Sequence, residues 1–282
     1  MPKYLCYQGD MVAADKPLLF ADNRAFCYGD GFFETIRCAN SEPLFFHRHY
    51  ARILRTLALL NMQMPADFTA EYFRFQIHRL LQKNRIYKAA RIRLVLFRVP
   101  GGFYAPALKD VQYLITCEPL SQEKFQLPEK GLNVEVYEEI KKPINKLSAF
   151  KHSSAMFYVM AGIWKNENAL DDCLLLNEED KLIEGLSSNL FLVKNRIIYA
   201  TTAECGCVAG TMRETILELA HNQKLPVKEV EGFGINHILE ADELWLTNAI
   251  QGIRHVGAFR NRRYFHRMAE MLTHRLNELA GL

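Results

Sequence analysis

The sequence predicts an α+β fold in two domains. Segments with strand and helix patterning follow one another without the regular alternation that a doubly wound parallel sheet requires. Short turn-forming stretches join several of the strand-like segments, as in antiparallel hairpins. A polar stretch with a proline, "SQEKFQLPEK" at 121–130, reads as a linker between a domain of residues 1–120 and one of residues 131–282.

The chain opens with strand-like "KYLCYQG" and "VAADKPLLF", then a loop "ADNRAFCYGDG" and a strand "FFETIRCA". The turn "NSEP" and a strand "LFFH" complete a predicted hairpin. Residues 47–62, "HRHYARILRTLALLNM", have the apolar spacing of a helix. A second helix is predicted over 69–84, with Thr69 as its N-cap and Glu71 in its first turn. Strands follow at 90–99 and 111–120, around the glycine-containing loop "PGGFYAPALKD". Past the linker, "LNVEVYEEI" reads as a strand and 153–165 as an apolar helix. "CLLLNEEDKLIEG" and "NLFLVKNRIIYA" read as hairpins, the latter turning at "KNR". "GTMRETILELAHNQ" is a predicted helix, "ELWLTNAIQGIRHV" a strand pair, and "FHRMAEMLTHRLNELA" the closing helix.

Composition narrows the function. At 49% hydrophobic and 24% charged, the 282 residues suit a soluble globular protein with substantial cores. The 35 basic residues against 32 acidic leave a net charge of +3, so no global field draws nucleic acid or an anionic membrane. The local basic cluster "RNRRYFHR" (260–267) reads as a solvated loop entering the last helix. The opening "MPKYLCYQGD" has no apolar core or small-residue cleavage site, so no secretory leader is predicted, and no apolar run approaches membrane-spanning length. Seven scattered cysteines argue against a disulfide framework. The C-x-C pair Cys205 and Cys207 lacks the second pair or histidine cluster of a zinc site, so no metal is predicted. A reducing, cytoplasmic compartment follows.

Several segments could carry chemistry. Lys151 stands at the head of "KHSSAMFYVMAG", an otherwise small or apolar run, where partial desolvation would free an amine to act as a nucleophile. In "IEGLSSNLFLV" (183–193), Glu184 precedes a strongly apolar strand, and an acid buried there needs a partner such as a protonated ring nitrogen. "AGTMRE" (209–214) opens a helix with glycine, leaving backbone N–H groups suited to phosphate. "LTNAIQGI" (246–253) runs from an apolar strand into small and amide residues, and Arg52 on the first long helix can offer a guanidinium fork to phosphate.

Taken in order, these segments resemble the class IV, or fold-type IV, pyridoxal-phosphate enzymes, a family of branched-chain and D-amino-acid aminotransferases and aminodeoxychorismate lyase. The resemblance runs from "NRAFCYGDGFFETIR" (23–37) through "FFHRHYARI" (45–53) to "IEGLSSNLF", "GTMRE" and "LTNAI". It implies a small N-terminal α/β domain, a larger C-terminal domain with a barrel-like sheet, and pyridoxal 5'-phosphate at their junction. It also implies a homodimer whose partner completes the substrate pocket through the 98–109 loop. Lys151 then corresponds to the Schiff-base lysine, Glu184 to the acid facing the pyridine nitrogen, and Arg52 to the arginine on the phosphate. Gly210, Thr211 and Met212 occupy the phosphate-binding helix start, Ser188 and Asn189 follow the acid, and Asn248 and Ala249 close the phosphate cup. Phe33, Glu34 and Thr35 lie on the strand lining the substrate side, and Arg98 heads the substrate-side loop. Lys146 competes for the Schiff-base role, but its separation from the acid, 184 − 146 = 38, exceeds the 184 − 151 = 33 that is nearer the family pattern.

The departures concern the substrate. Ser154 replaces an asparagine of the lyase and D-amino-acid branches, Met156 a tyrosine of the branched-chain enzymes, and Phe33 a tyrosine of the D-amino-acid enzymes. "RVPGGFYAP" lacks an Arg-x-His carboxylate trap. The Lys151-His152 pair and Thr35 resemble the lyase branch. The expected activity is amino-group transfer between an amino acid and a 2-oxo acid, with pyruvate release from aminodeoxychorismate as the alternative. A non-catalytic binding protein on the same scaffold is the third possibility.

Overall fold

The computed structural model describes residues 2–282. It is a mixed helix-and-sheet protein that divides into two compact units, Met1–Lys124 with Phe150–Ser154, and Phe125–Ala149 with Ala155–Leu282.

The first unit comprises β1 (Tyr4–Tyr7), β2 (Asp10–Ala13), α1 (Arg24–Tyr28), β3 (Gly31–Ala39), β4 (Glu42–Pro43), α2 (Phe46–Leu59), α3 (Ala70–Lys83), β5 (Ala89–Arg98) and β6 (Val111–Pro119). Its sheet is antiparallel in the order β2-β1-β6-β5-β3-β4. Two-residue turns with positive φ at Gln8 and Gly9 and at Asn40 and Ser41 join the β1–β2 and β3–β4 hairpins, which matches the twist of the strands they connect. α2 and α3 lay Phe46, Ile53, Leu57, Phe73, Ile77, Leu80 and Leu81 against Phe32, Ile36, Ile92, Leu94 and Ile115. Thr69 caps α3 by accepting the Tyr72 N–H at 3.1 Å.

Three expectations are corrected here. "VAADKPLLF" is strand only to Ala13, because the chain turns (Lys16 N–H to Ala13 C=O, 3.2 Å) and Pro17 has no N–H for a ladder. "LFFH" is not a strand: Phe45 takes a left-handed conformation (φ 51°), and α2 begins at Phe46, which it buries. "ADNRAFCYGDG" holds the short helix α1, whose Asn23 side chain accepts the Phe26 N–H and whose C-cap is Gly29 at φ 65°.

The second unit comprises β7 (Leu132–Lys142), α4 (Met156–Glu167), β8 (Asp172–Asn177), β9 (Leu182–Gly185), β10 (Asn189–Lys194), β11 (Ile197–Thr201), α5 (Thr211–Asn222), β12 (Val227–Val230), α6 (Ile235–Glu240), β13 (Glu243–Asn248), β14 (Gly252–Phe259), β15 (Arg262–Arg263) and α7 (Arg267–Leu279). Six strands, β10-β13-β14-β7-β8-β9, close on themselves because β9 returns to pair with β10. The closing pair is Glu184 with Asn189. Leu132, Val134, Val136, Leu174, Leu176, Leu190, Leu192, Leu244 and Leu246 form the principal core. β7 and β8 are parallel, and α4 supplies the crossover that parallel strands need.

The helix predicted from 153 begins at Met156. Residues 151–153 instead run beside the start of β3: the Lys151 C=O accepts the Phe33 N–H at 2.9 Å, and the Ser153 N–H donates to Gly31 C=O at 2.8 Å.

Candidate functional site

The first unit holds one group of the sequence-derived residues. Alternation on β3 turns Glu34 inward with Phe32 and Ile36, and Phe33 and Thr35 outward on the other face. Opposite Glu34, the buried stripe of α2 carries two ionisable side chains, His49 and Arg52, at helical spacing among Phe46, Ile53, Thr56 and Leu57. The three polar groups satisfy one another. Arg52 donates Nε to Oε1 (2.7 Å) and Nη2 to Oε2 (2.6 Å) of Glu34, and His49 Nδ1 contacts Oε2 at 2.6 Å. Burial alone would raise the Glu34 carboxyl. The Arg52 charge and hydrogen bonds, with the His49 contact, outweigh it and bring the group from 4.5 down to about 2. Burial lowers His49 against the pull of Glu34, with Arg52 and Lys151 adding to the lowering. A neutral imidazole with Nδ1–H directed at the carboxylate follows.

Because Glu34 titrates lower in the folded chain than unfolded, its contribution to stability is complete above about pH 4.5 and is lost as pH falls toward 2. The shift corresponds to about 3 kcal/mol. Urea unfolding of the wild type is expected to weaken steeply across that window. Glu34→Gln should be less stable at neutral pH and should lose most of the slope between pH 4.5 and 2.

Lys151 belongs to the same unit. Its Nζ lies 4.8 Å from the centroid of the Phe33 ring, and its charge reaches His49. The Arg93 guanidinium lies 3.8 Å from the same centroid, and Arg93 is the ladder partner of Thr35 on β5. The structure therefore gathers Lys151, Phe33, Glu34, Thr35, His49 and Arg52. Arg98 is engaged elsewhere: Nε donates to Asp30 (3.0 Å), Nη1 to Asn61 C=O (3.1 Å) and Nη2 to Leu60 C=O (2.8 Å). Arg24, also on Asp30, holds the carbonyls of Gly101, Gly102 and Phe103, so the two arginines shape the loop after β5.

The second unit holds the other group, centred on Glu184, which is 2% exposed on β9. Oε1 accepts Lys142 Nζ at 2.6 Å and Tyr158 OH at 2.9 Å, and Oε2 accepts the Val208 N–H at 2.8 Å. Burial, then the adjacent Glu184 charge, raise the Tyr158 phenol, which therefore stays protonated and donates. Val208 is held in turn by Asn189, whose Nδ2 donates to its C=O at 2.7 Å. The turn before it is tied down by Cys205 and Cys207, whose thiols donate to Thr202 C=O at 2.9 and 3.1 Å. Next comes Gly210, the N-cap of α5, where a Cβ would sit 1.8 Å from Asn189 Oδ1. No side chain caps α5, which opens with buried Thr211 and Met212. Asn248 donates Nδ2 to Ser188 Oγ at 3.1 Å, and its Oδ1 receives the N–H groups of Ile250 and Gln251, which sets the turn through Ala249. Lys146 is exposed.

Gly210→Ala is expected to push the Asn189 amide off Val208 and loosen the Val208–Glu184 bond. A loss of about 1–3 kcal/mol in thermal or urea unfolding checks the packing conflict. Weaker uptake of a phosphorylated ligand checks its effect on the helix start.

Two residues of this group escape sequence reasoning. Lys142 lies beyond an irregularity in β7 that breaks simple alternation, and Tyr158 lies in a helix whose neighbours are all apolar or small. A "KKP" at a strand end was the one visible signal for Lys142.

Each unit holds groups suited to part of a phosphorylated pyridine aldehyde. In the first unit an amine can join an aldehyde and an arginine can take a phosphate; in the second a triply bonded carboxylate can face a ring N–H, and backbone N–H groups at the start of α5 suit a phosphate.

A family model described as amino-transferase class IV matches residues 31–259. An aminodeoxychorismate lyase of Vibrio harveyi is 26% identical over 82% of this chain and 83% of its own. A D-alanine aminotransferase of Staphylococcus epidermidis is 24% identical over 85% of this chain and 83% of its own. Among solved structures, a PLP-bound hypothetical aminotransferase from Mycobacterium tuberculosis shares the fold at a TM-score of 0.83. It is 15% identical and covers 98% of this chain and 98% of its own. The branched-chain amino acid aminotransferase from Escherichia coli shares it at a TM-score of 0.87, is 19% identical, and covers 99% of this chain and 95% of its own.

Proposed function

The chain belongs to the class IV aminotransferase family, and on that premise we propose that it is a pyridoxal-phosphate-dependent enzyme transferring an amino group between an amino acid and a 2-oxo acid. The observation that carries the proposal is Glu184, a buried carboxylate held by three donors. When bound, pyridoxal phosphate supplies an electron sink for the carbanion formed at the substrate carbon.

The chain's own residues do the rest. Lys151 Nζ would hold the group at its aldehyde carbon and, when free, would move the proton at the substrate carbon as base and acid. Glu184 accepts the ring N–H. Arg52 binds the phosphate with its guanidinium plane set by the Glu34 fork, and the amino end of α5 with Gly210, Thr211 and Met212 adds backbone donors. Ser188, Asn189, Asn248 and Ala249 keep that cup in shape, and Phe33 and Thr35 line the substrate side. Such anchoring places the reacting carbon near the amine and supplies much of the rate advantage of fixed geometry.

A cytoplasmic homodimer completes the proposal. All seven cysteines are free, as in a reducing compartment, and no described helix is long and apolar enough to cross a membrane. α4 exposes Met156, Val159, Met160 and Ile163 at i, i+3, i+4 and i+7, an apolar stripe that a second copy would cover.

The second reading is pyruvate release from aminodeoxychorismate. It is favoured by Lys151-His152 and by Thr35, half-buried on the Phe33 face of β3. A half-reaction screen over L- and D-amino acids, followed by the loss of the visible cofactor band, tests the first reading against pyruvate release. Pyruvate release with no amino-acid half-reaction overturns it.

A further inference from the structure

Lys142 ends β7 with a buried ammonium, 4% exposed, beyond a stretch in which the strand's alternation of buried and exposed residues is lost. β7 and β8 keep register to Tyr137↔Leu175, and the next pair is Lys142↔Asn177. β7 thus advances 142 − 137 = 5 residues while β8 advances 177 − 175 = 2. Such a bulge re-aims the side chain that follows it. Residues 138–141 are exposed, and Lys142 turns in to Glu184 Oε1 (2.6 Å) and Ser148 C=O (3.2 Å), its Nζ lying 5.3 Å from the Tyr158 ring centroid.

A carboxylate offers about two lone-pair sites on each oxygen. On Glu184, Lys142 and Tyr158 occupy Oε1, whereas Oε2 receives the Val208 N–H. We propose that Lys142 is a positioning residue: it clamps Oε1, with Tyr158, so that Oε2 is presented to the ring nitrogen of the cofactor. The inference rests on the role of Glu184 proposed above. The same placement bars Lys142 from joining the aldehyde, because the aldehyde-bearing carbon and the ring nitrogen lie at opposite ends of the pyridine ring.

Two phosphorylated probes that cannot join Lys151 test this: pyridoxine 5'-phosphate, and its analogue with C–H in place of the ring nitrogen. Dissociation constants are measured by calorimetry on cofactor-free protein, for the wild type, Glu184→Gln, Lys142→Met and Lys142→Arg, each with native circular dichroism. The wild type is expected to prefer the nitrogen ring by about tenfold or more, and Glu184→Gln to lose that preference. Lys142→Met should cut the preference at least about threefold, and Lys142→Arg should keep it within about twofold. General loosening of the site would weaken both probes alike and leave their ratio unchanged. A wild type without the preference, or Glu184→Gln that retains it, refutes the role of Glu184 itself. A full preference in Lys142→Met beside its loss in Glu184→Gln overturns the role of Lys142 alone, as does Lys142→Arg as deficient as Lys142→Met. If Lys142→Met does not fold, Lys142→Gln takes its place under the same criterion.

Discussion

Lys151→Ala is expected to lower turnover by at least about 10⁴-fold and to leave no lysine that borohydride can label with the cofactor. The fold should survive. The Lys151 backbone makes the bond to Phe33, and alanine keeps it, so the losses fall on the side chain, among them the contact of Nζ with the Phe33 ring and its charge near His49. Lys151 is half-buried, and the ring contact there contributes about 1 kcal/mol, between the exposed and desolvated limits. A large kinetic loss with little change in unfolding is thus the expected signature, read by labelling, absorbance and urea titration together. Lys146→Ala, on an exposed turn residue, should match the wild type. Activity kept in Lys151→Ala and lost in Lys146→Ala would reassign the amine.

Glu184→Gln is expected to keep cofactor bound while slowing proton abstraction by about 10²–10³-fold, the usual cost of removing one preorganised charge partner from a reacting system. Its structural cost is larger than that of Lys151→Ala. The amide oxygen can still accept from Lys142 and Tyr158, but the amide NH₂ then confronts the Val208 N–H, donor against donor. A buried conflict of that kind costs about 1–3 kcal/mol. Single-turnover kinetics and thermal unfolding separate the two effects, and wild-type rates in this variant would sink the role given to Glu184.

Much of the fold was legible where local chemistry acts alone. Thr69 and Glu71 mark the start of α3, "NSEP" and "KNR" form turns with left-handed residues, and apolar periodicity locates α2, α5 and α7. It failed where a long-range contact overrides local preference. The sequence predicts a helix from 153, yet residues 151–153 are drawn out to pair with β3, and α4 waits until Met156. α1 was written in an Asn23 cap and a Gly29 stop only six residues apart, too short a span for periodicity to show.

The ordered chemical types, an amine at 151, an acid at 184, an arginine at 52 and a glycine-led helix at 210, are properties of the sequence, because motif and spacing survive without coordinates. What surrounds each of them is decided only in three dimensions. Glu34 and His49 become partners of Arg52 because strand and helix faces meet across a core. Lys142 and Tyr158 become partners of Glu184 because a bulge and a crossover helix aim them at one oxygen. A buried charge must find its counter-charge wherever the fold brings one, and sequence distance carries no information about that.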